Sequence, residues 1–173
     1  MTRATQPRMD QSSDEKAVDD IVVRINRCAA VVRGGRRFSF GALVVVGDRK
    51  GQVGIGYGKS KEVPSAVEKG RKIALRNMKR VKLVRGTLPH RVKGRFGASK
   101  VVMVPAGPGT GVIAGSSVRA VLELAGVHDV LTKSFGSNNP QNLVHATLAG
   151  LLGMVTREEV EKLRGVKLPE VKR

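Results

Sequence analysis

The stretch FSFGALVVVGDRKGQVGIGYGKSKEVPSAVEKGRKIALRNMKRV, residues 38–81, decides the fold of the first half of the chain. Its beginning is rich in β-branched and aromatic residues, which predicts two strands around the turn GDRKG. In QVGIGYG, Val53, Ile55 and Tyr57 share one face of a strand and three glycines share the other. A face without side chains lets another backbone approach closely, so RNA and a packed helix are both open as its neighbour.

The spacing predicts an amphipathic helix over residues 64–80. Pro64 suits a helical first turn, and the following period is close to that of an α-helix. The apolar arc comprises Val63, Val67, Ala74, Met78 and Val81, and the opposite arc comprises Lys69, Lys72, Arg76, Lys79 and Arg80. We expect the apolar arc to pack on the sheet. An all-positive opposite arc indicates phosphate binding, with a merely soluble face as the alternative.

A basic hairpin precedes this stretch. Ile21–Val32 and Phe38–Val46 predict two strands around RGGRR at residues 33–37. Three like charges on one tip repel one another, which favours contact with folded RNA over an ordinary solvated turn. The candidate RNA contacts are Arg33, Gly34, Gly35, Arg36 and Arg37, with Arg24, Arg27 and Lys59 on the strands.

The pattern restarts after residues 83–86, which predicts a second unit. Its expected elements are strands at Thr87–Lys93, Ser99–Pro105 and Val127–Ser134, helices at Ser116–Ala125 and Gln141–Leu152, and a last helix at Arg157–Leu163 opened by a capping box at Thr156 and Glu159. The fold class is α+β. We predict a disordered arm at 1–20, a double-stranded-RNA-binding-like βββα unit at 21–84, an α/β unit at 85–155, and a helix with a basic tail at 156–173.

Basic residues also surround the first strand of the second unit. In LPHRVKGRFGASK, residues 88–100, the candidate phosphate contacts are Arg91, Lys93, Arg95 and Lys100. Phe96 is a weak candidate for stacking on a base, because a lone ring is more often a core or hinge residue.

The net charge of the chain favours some classes of function over others. The chain has 32 Lys and Arg against 14 Asp and Glu, and residues 21–122 hold 22 of the basic and 3 of the acidic residues. Such a surface binds a polyanion, and a membrane span is not expected because prolines and glycines interrupt the uncharged stretch Val101–Val118. Cys28 is the single cysteine, which excludes an internal disulfide. With an N-terminus that lacks an apolar signal run, this predicts a cytoplasmic protein.

No catalytic residue, cofactor, metal or small-molecule substrate is expected. His90, His128 and His145 are scattered, and Asp129 beside His128 is interpreted as a chance neighbour. GIGYG at 54–58 lies inside a strand and fails the dinucleotide-binding test, while GPGTGVIAGSS at 107–117 lacks the Gly-Lys-Ser/Thr of a phosphate loop. The amides of the second loop could still hold a phosphate at the start of a helix.

Three strings of the sequence carry a resemblance to a known family: NRCAAVVRGGRRFSFGALVVVGDRKGQVGIGYGK at 26–59, EVPSAVEKG at 62–70 and GTGVIAGSSVRAVLELAGVHDVLTKSFGSNNPQNLVHAT at 109–147. In this order they resemble the bacterial family of small-subunit ribosomal protein five. The similarity covers Ile21–Gly153, and both ends depart from it.

The resemblance implies a left-handed crossover in the second unit and a place in the 30S subunit of the 70S ribosome, at the body-head junction on 16S ribosomal RNA. Small-subunit proteins four and eight are the implied protein partners, and messenger RNA near its point of access to the ribosome is a further candidate. By position, Arg33–Arg36 match the loop that reaches toward the head, and Gly109, Thr110, Gly111 and Arg119 match the side that faces protein four. The implied role is mechanical, in head-body arrangement and translational accuracy.

Two other functions compete with this one. A small-molecule kinase would share the fold of the second unit and its glycine loop, but no catalytic carboxylate is visible. A free-standing RNA chaperone would be supported equally by the first unit alone.

Overall fold

The computed structural model describes residues 18–168 and shows two four-stranded sheets and four helices in that range. The elements are β1 Asp19–Val32, β2 Gly35–Gly47, β3 Gln52–Ser60, α1 Val63–Arg76, β4 Lys79–Arg80, β5 Val92–Phe96, β6 Ser99–Pro105, β7 Val112–Ile113, α2 Ser116–Ala125, β8 Val130–Gly136, α3 Pro140–Leu152 and α4 Arg157–Arg164. The predicted disordered arm lies outside the described residues except for its last three, and β1 already begins at Asp19.

The first sheet is antiparallel in the order β1-β2-β3-β4, with α1 on one face. The predicted end of the helix was wrong. The amide of Asn77 bonds to Ile73 and Ala74 carbonyls and ends α1, and the chain then turns back so that Lys79 and Arg80 pair with β3 as strand β4.

The predicted apolar arc of α1 was also partly wrong. Its fully buried positions are Ala66, Gly70 and Ala74, while Val63 and Val67 are half-buried. The reason is the glycine face of β3: a Cβ atom on Gly56 would lie 2.0 Å from the Gly70 carbonyl oxygen. Two backbones in such close contact leave room only for small residues, so the glycine face meets a packed helix and not RNA.

The second half of β2, residues 41–47, is buried on both faces. Ala42, Val44 and Val46 face α1, whereas Leu43 and Val45 belong to a larger core that includes buried residues of α2 and α3. The turn after β2 adds main-chain contacts, because the amides of residues 49 and 51 donate to the carbonyls of residues 124 and 125 at 3.0 Å. These bonds satisfy carbonyls at the C-terminal end of α2 that have no partner within the helix.

The second sheet has the order β5-β6-β8-β7, with β7 parallel to β8 and α2 connecting them. Helices α2 and α3 and the capping box of α4 occur as predicted. The strand predicted at Thr87–Lys93 was wrong: Val84 and Thr87 close a tight turn through reciprocal backbone hydrogen bonds, so β5 begins only at Val92. The strand predicted from Val127 likewise begins at Val130.

We predict that Gly56→Ala destabilises the fold strongly. The added Cβ would lie 2.0 Å from the Gly70 carbonyl oxygen and 2.6 Å from the Ala74 amide nitrogen, and backbone cannot move aside cheaply. Overpacking of this kind costs about 1–3 kcal/mol, measurable by urea denaturation. Gly34→Ala is the matched control, because nothing lies within 4 Å of its added methyl group. Equal stability of the two variants would contradict the observed packing.

Candidate nucleic-acid interface

The hairpin of β1 and β2 extends beyond the rest of the sheet and forms a basic arm. Pairing between β2 and β3 stops at Phe40, so residues 28–39 are a two-stranded ribbon. Its side chains are exposed from residue 29 to residue 38, with Val31 at 79% and Phe38 at 47%. The Arg27 guanidinium lies 4.0 Å from the centroid of the Phe38 ring. A ribbon without its own core gains order from a partner.

The tip of the arm presents its cations to solvent. Val32 pairs with Gly35, so the turn consists of Arg33 and Gly34, and β2 begins with Gly35, Arg36 and Arg37. All five residues are exposed. The arm therefore brings together the five residues predicted at 33–37.

The basic face of α1 is interrupted by one carboxylate. Lys72 Nζ lies 2.7 Å from Glu68 Oε1, and this hydrogen bond holds the pKa of the Glu68 carboxyl below its ordinary value. The prediction of an all-positive arc was therefore wrong, because it overlooked an acid one helical turn before Lys72. Lys69 and Arg76 are exposed and have no ion-pair partner within residues 18–168.

The remaining predicted contacts of the first sheet are spread over two places. Lys79 and Arg80 lie exposed on the edge strand β4. Arg24 lines an open cleft of about 330 Å³ between the two sheets, together with Tyr57 and residues 138–141. Lys59 is exposed two residues further along β3 from Tyr57.

In the second sheet, Phe96 and the basic residues next to it in the sequence lie in different places. Arg91, Lys93 and Arg95 line one open groove. Phe96 lies instead against helix α3, where its ring stacks on His145 at a centroid distance of 4.8 Å. An internal contact thus occupies one side of the ring, although the side chain remains 45% exposed.

The glycine loop at 107–111 is closed by an aspartate. The Gly111 amide donates to Asp129 Oδ1 at 2.9 Å, and the Thr110 hydroxyl donates to the Gly107 carbonyl at 2.8 Å. Asp129 therefore bonds to the loop backbone and not to His128, which agrees with the interpretation that its place beside His128 is chance. Arg119, exposed on α2, lies within 3.4 Å of the Val112 carbonyl, so it is on the same side of the unit.

Two family models match most of the described residues. One, described as the N-terminal domain of ribosomal protein S5, matches residues 18–82, and the other, described as its C-terminal domain, matches residues 94–164. The chain belongs to the ribosomal protein S5 family.

Full-length relatives in the ribosomal protein S5 family agree. The small ribosomal subunit protein uS5 of Rhodopirellula baltica is 54% identical over 169 residues, which is 96% of each chain. The protein of the same name from Syntrophobacter fumaroxidans is 54% identical over 160 residues, 92% of this chain and 96% of the relative.

Other candidate chemistries find no support in residues 18–168 of this member of the S5 family. No group of His, Cys, Asp and Glu side chains in that range is arranged to hold a metal ion. Within the same range, every helix is too short or too polar to cross a membrane. Cys28 is half-buried in β1.

Sequence reasoning missed Lys133 and Phe135, which line the same groove as Lys93 and Arg95. Their alternation in LTKSFG was a usable signal, but only strand pairing shows that β8 lies beside β6. Arg71 was also missed, and it faces Asp20 at 3.8 Å.

We predict that acid weakens the fold through His145. Burial lowers the pKa of this imidazole below its ordinary value of about 6.5. The unfolded chain therefore binds the proton more readily, so stability is complete above about pH 6.5 and declines as the pH falls below it. Urea denaturation between pH 7.5 and 5.5 should show this decline.

The His145→Gln variant isolates the effect. Its unfolding free energy should depend less on pH over the same interval, whereas Lys167→Gln, on the exposed C-terminal segment, should keep the parent's dependence. An identical pH dependence of His145→Gln and the parent would contradict the assignment.

Proposed function

We propose that this chain binds 16S ribosomal RNA at the junction of body and head, contacts small-subunit proteins four and eight, and influences head-body arrangement and translational accuracy. As a member of the S5 family it is a structural constituent of the small ribosomal subunit and not an enzyme. The observation that carries the RNA proposal is the excess of unpaired cations on the arm, α1 and both sheets.

Electrostatics favours a polyanionic partner. Only five ion pairs occur within residues 18–168, and Arg33, Arg36 and Arg37 at the arm tip take part in none of them. Cations closer than a Debye length of about 8–10 Å repel one another. RNA phosphates relieve that repulsion and release their counterions, which drives binding.

The shape of the basic arm suits a crevice of folded RNA. It consists of only two strands and carries guanidinium groups that can form bidentate hydrogen bonds with phosphate. It also exposes the apolar side chains of Val31 and Phe38. Contact of this arm with the head and of α1 with the body would tie the two parts together. The proposed RNA contacts remain those predicted: Arg24, Arg27, Arg33, Gly34, Gly35, Arg36, Arg37, Lys59, Lys69, Lys72, Arg76, Lys79, Arg80, Arg91, Lys93 and Arg95.

The loop of Gly109, Thr110 and Gly111, with Arg119, is proposed to face protein four. Asp129 holds the loop rigid while Thr110 and Arg119 stay exposed, as a docking surface requires. The contact with protein eight, and messenger RNA as a partner, rest on the family resemblance alone.

The contacts of the same loop disfavour the alternative function of a small-molecule kinase, which would need this loop to bind phosphate. Its Gly111 amide already donates to a carboxylate, and that negative charge repels a phosphate group. Sedimentation distinguishes the proposed function from that of a free RNA chaperone. A ribosomal protein would sediment with small subunits after a high-salt wash, whereas a chaperone would not.

We predict that Lys69→Gln combined with Arg76→Gln weakens binding to 16S RNA. Loss of two phosphate contacts should reduce the slope of log affinity against log salt by about 1.8, measured by filter binding at several salt concentrations. Circular dichroism should stay unchanged, because both side chains are exposed.

The matched control removes the same charge elsewhere. Lys162→Gln combined with Arg164→Gln, in the last turn of α4, should leave the slope unchanged. Equal slopes for both double variants, or absence of a 16S footprint for the parent chain, would contradict the proposal.

We also predict that Arg119→Ala weakens binding to small-subunit protein four roughly tenfold, the loss expected for about 1.4 kcal/mol, and raises misreading in translation. Isothermal titration calorimetry of this chain with small-subunit protein four, both bound to RNA, measures the affinity. A reporter gene with a near-cognate codon measures the misreading. Arg164→Ala is the control, since it removes an exposed arginine from α4. Unchanged affinity and accuracy in Arg119→Ala would contradict this interface.

A further inference from the structure

The second sheet has one face that no helix of the described residues covers. On the other face, Val101 and Met103 are fully buried and Gly94 touches α3, where an added Cβ would lie 2.0 Å from the Ala146 carbonyl oxygen. Because side chains alternate along a strand, Lys100 and Val102 project from the opposite face. That opposite face is called the open face below.

The strand register arranges the open face in rows. Arg95, Lys100 and Phe135 are neighbours in one row, and Lys93, Val102 and Lys133 are neighbours in the next. These residues and Arg91 line one groove of about 590 Å³.

All charged residues that line the groove on the open face are basic. Strands β5, β6 and β8 contain no acidic residue, and none of the five cations in the groove is paired with a carboxylate of residues 18–168. Neighbouring strands lie about 4.8 Å apart, and alternate residues along a strand about 7 Å apart. These spacings are shorter than a Debye length of about 8–10 Å, so an anionic partner is strongly favoured.

Phe135 gives that partner a second property. The ring is 51% exposed and its strand neighbour is Lys100. A ring beside cations suits a ligand that has both phosphates and free aromatic faces, which is unpaired RNA; a duplex hides its base faces by stacking. Because the proposed function gives the chain 16S RNA as its partner, an unpaired segment of that RNA is the simplest such ligand.

We propose that the open face binds an unpaired segment of 16S ribosomal RNA, with a base stacked on Phe135 and phosphates held by Lys93, Lys100 and Lys133. The inference rests on the proposed function, because it names the RNA conformation that one part of the surface takes. It adds Lys133 and Phe135 to the contacts predicted from the sequence.

Binding of a labelled 12-nucleotide oligouridylate to the full chain tests the stacking. Phe135→Leu should weaken binding roughly tenfold without changing the salt slope, because stacking is lost and charge is kept. Phe135→Tyr should bind like the parent. Lys100→Gln combined with Lys133→Gln should reduce the salt slope by about 1.4.

Phe96→Leu is the matched control, since it changes the same residue type on the helix side, where the ring stacks on His145. It should leave affinity unchanged. Parent affinity in Phe135→Leu, an equal loss in Phe96→Leu, or stronger binding to a 12-base-pair duplex would overturn the inference. Tolerance of leucine would instead indicate an apolar protein contact.

Photo-crosslinking in assembled small subunits separates this inference from the proposed function. We expect Phe135 to crosslink to an unpaired 16S nucleotide. If subunits retain the chain and its 16S footprint but Phe135 crosslinks only to messenger RNA, to protein or to nothing, the inference fails and the proposed function stands.

Discussion

Burial of residues 41–47 of β2 on both faces is the constraint on which the rest of the structure depends. One face packs on α1 through small side chains, and the other packs on α2 through Leu43 and Val45. Because a single strand supplies both layers, the point at which the arm leaves the first sheet is fixed relative to the second sheet. The basic groups on the two packed sheets are therefore held in one arrangement, whereas the arm beyond Phe40 has no core of its own.

Local patterns predicted most elements of this fold. Alternation revealed the strands, Pro64 the start of α1, and Thr156 with Glu159 the capping box of α4. The failures occurred where tertiary contacts override local preference. Residues 79–80 continue a helical pattern, yet they pair with β3, because Val81 is buried and its amide donates to the Gly51 carbonyl.

The residues of the candidate site could be predicted where their exposure depends only on the local sequence. Arginines at a hairpin tip are exposed wherever the hairpin points, so residues 33–37 could be selected without a structure. Phe96 and Phe135 show the opposite case. Each is a lone ring near basic residues, and only strand pairing decides that one faces α3 and the other the open face. Asp129 likewise acquired a role through a partner 18 positions earlier in the chain.

Strand β1 has one further consequence. It is 14 residues long, forms the outer edge of its sheet, and ends in the exposed ribbon around Val31. An open edge is a template on which other chains can add a strand. Copies of the chain without a binding partner would thus tend to add strands to one another along β1 and aggregate.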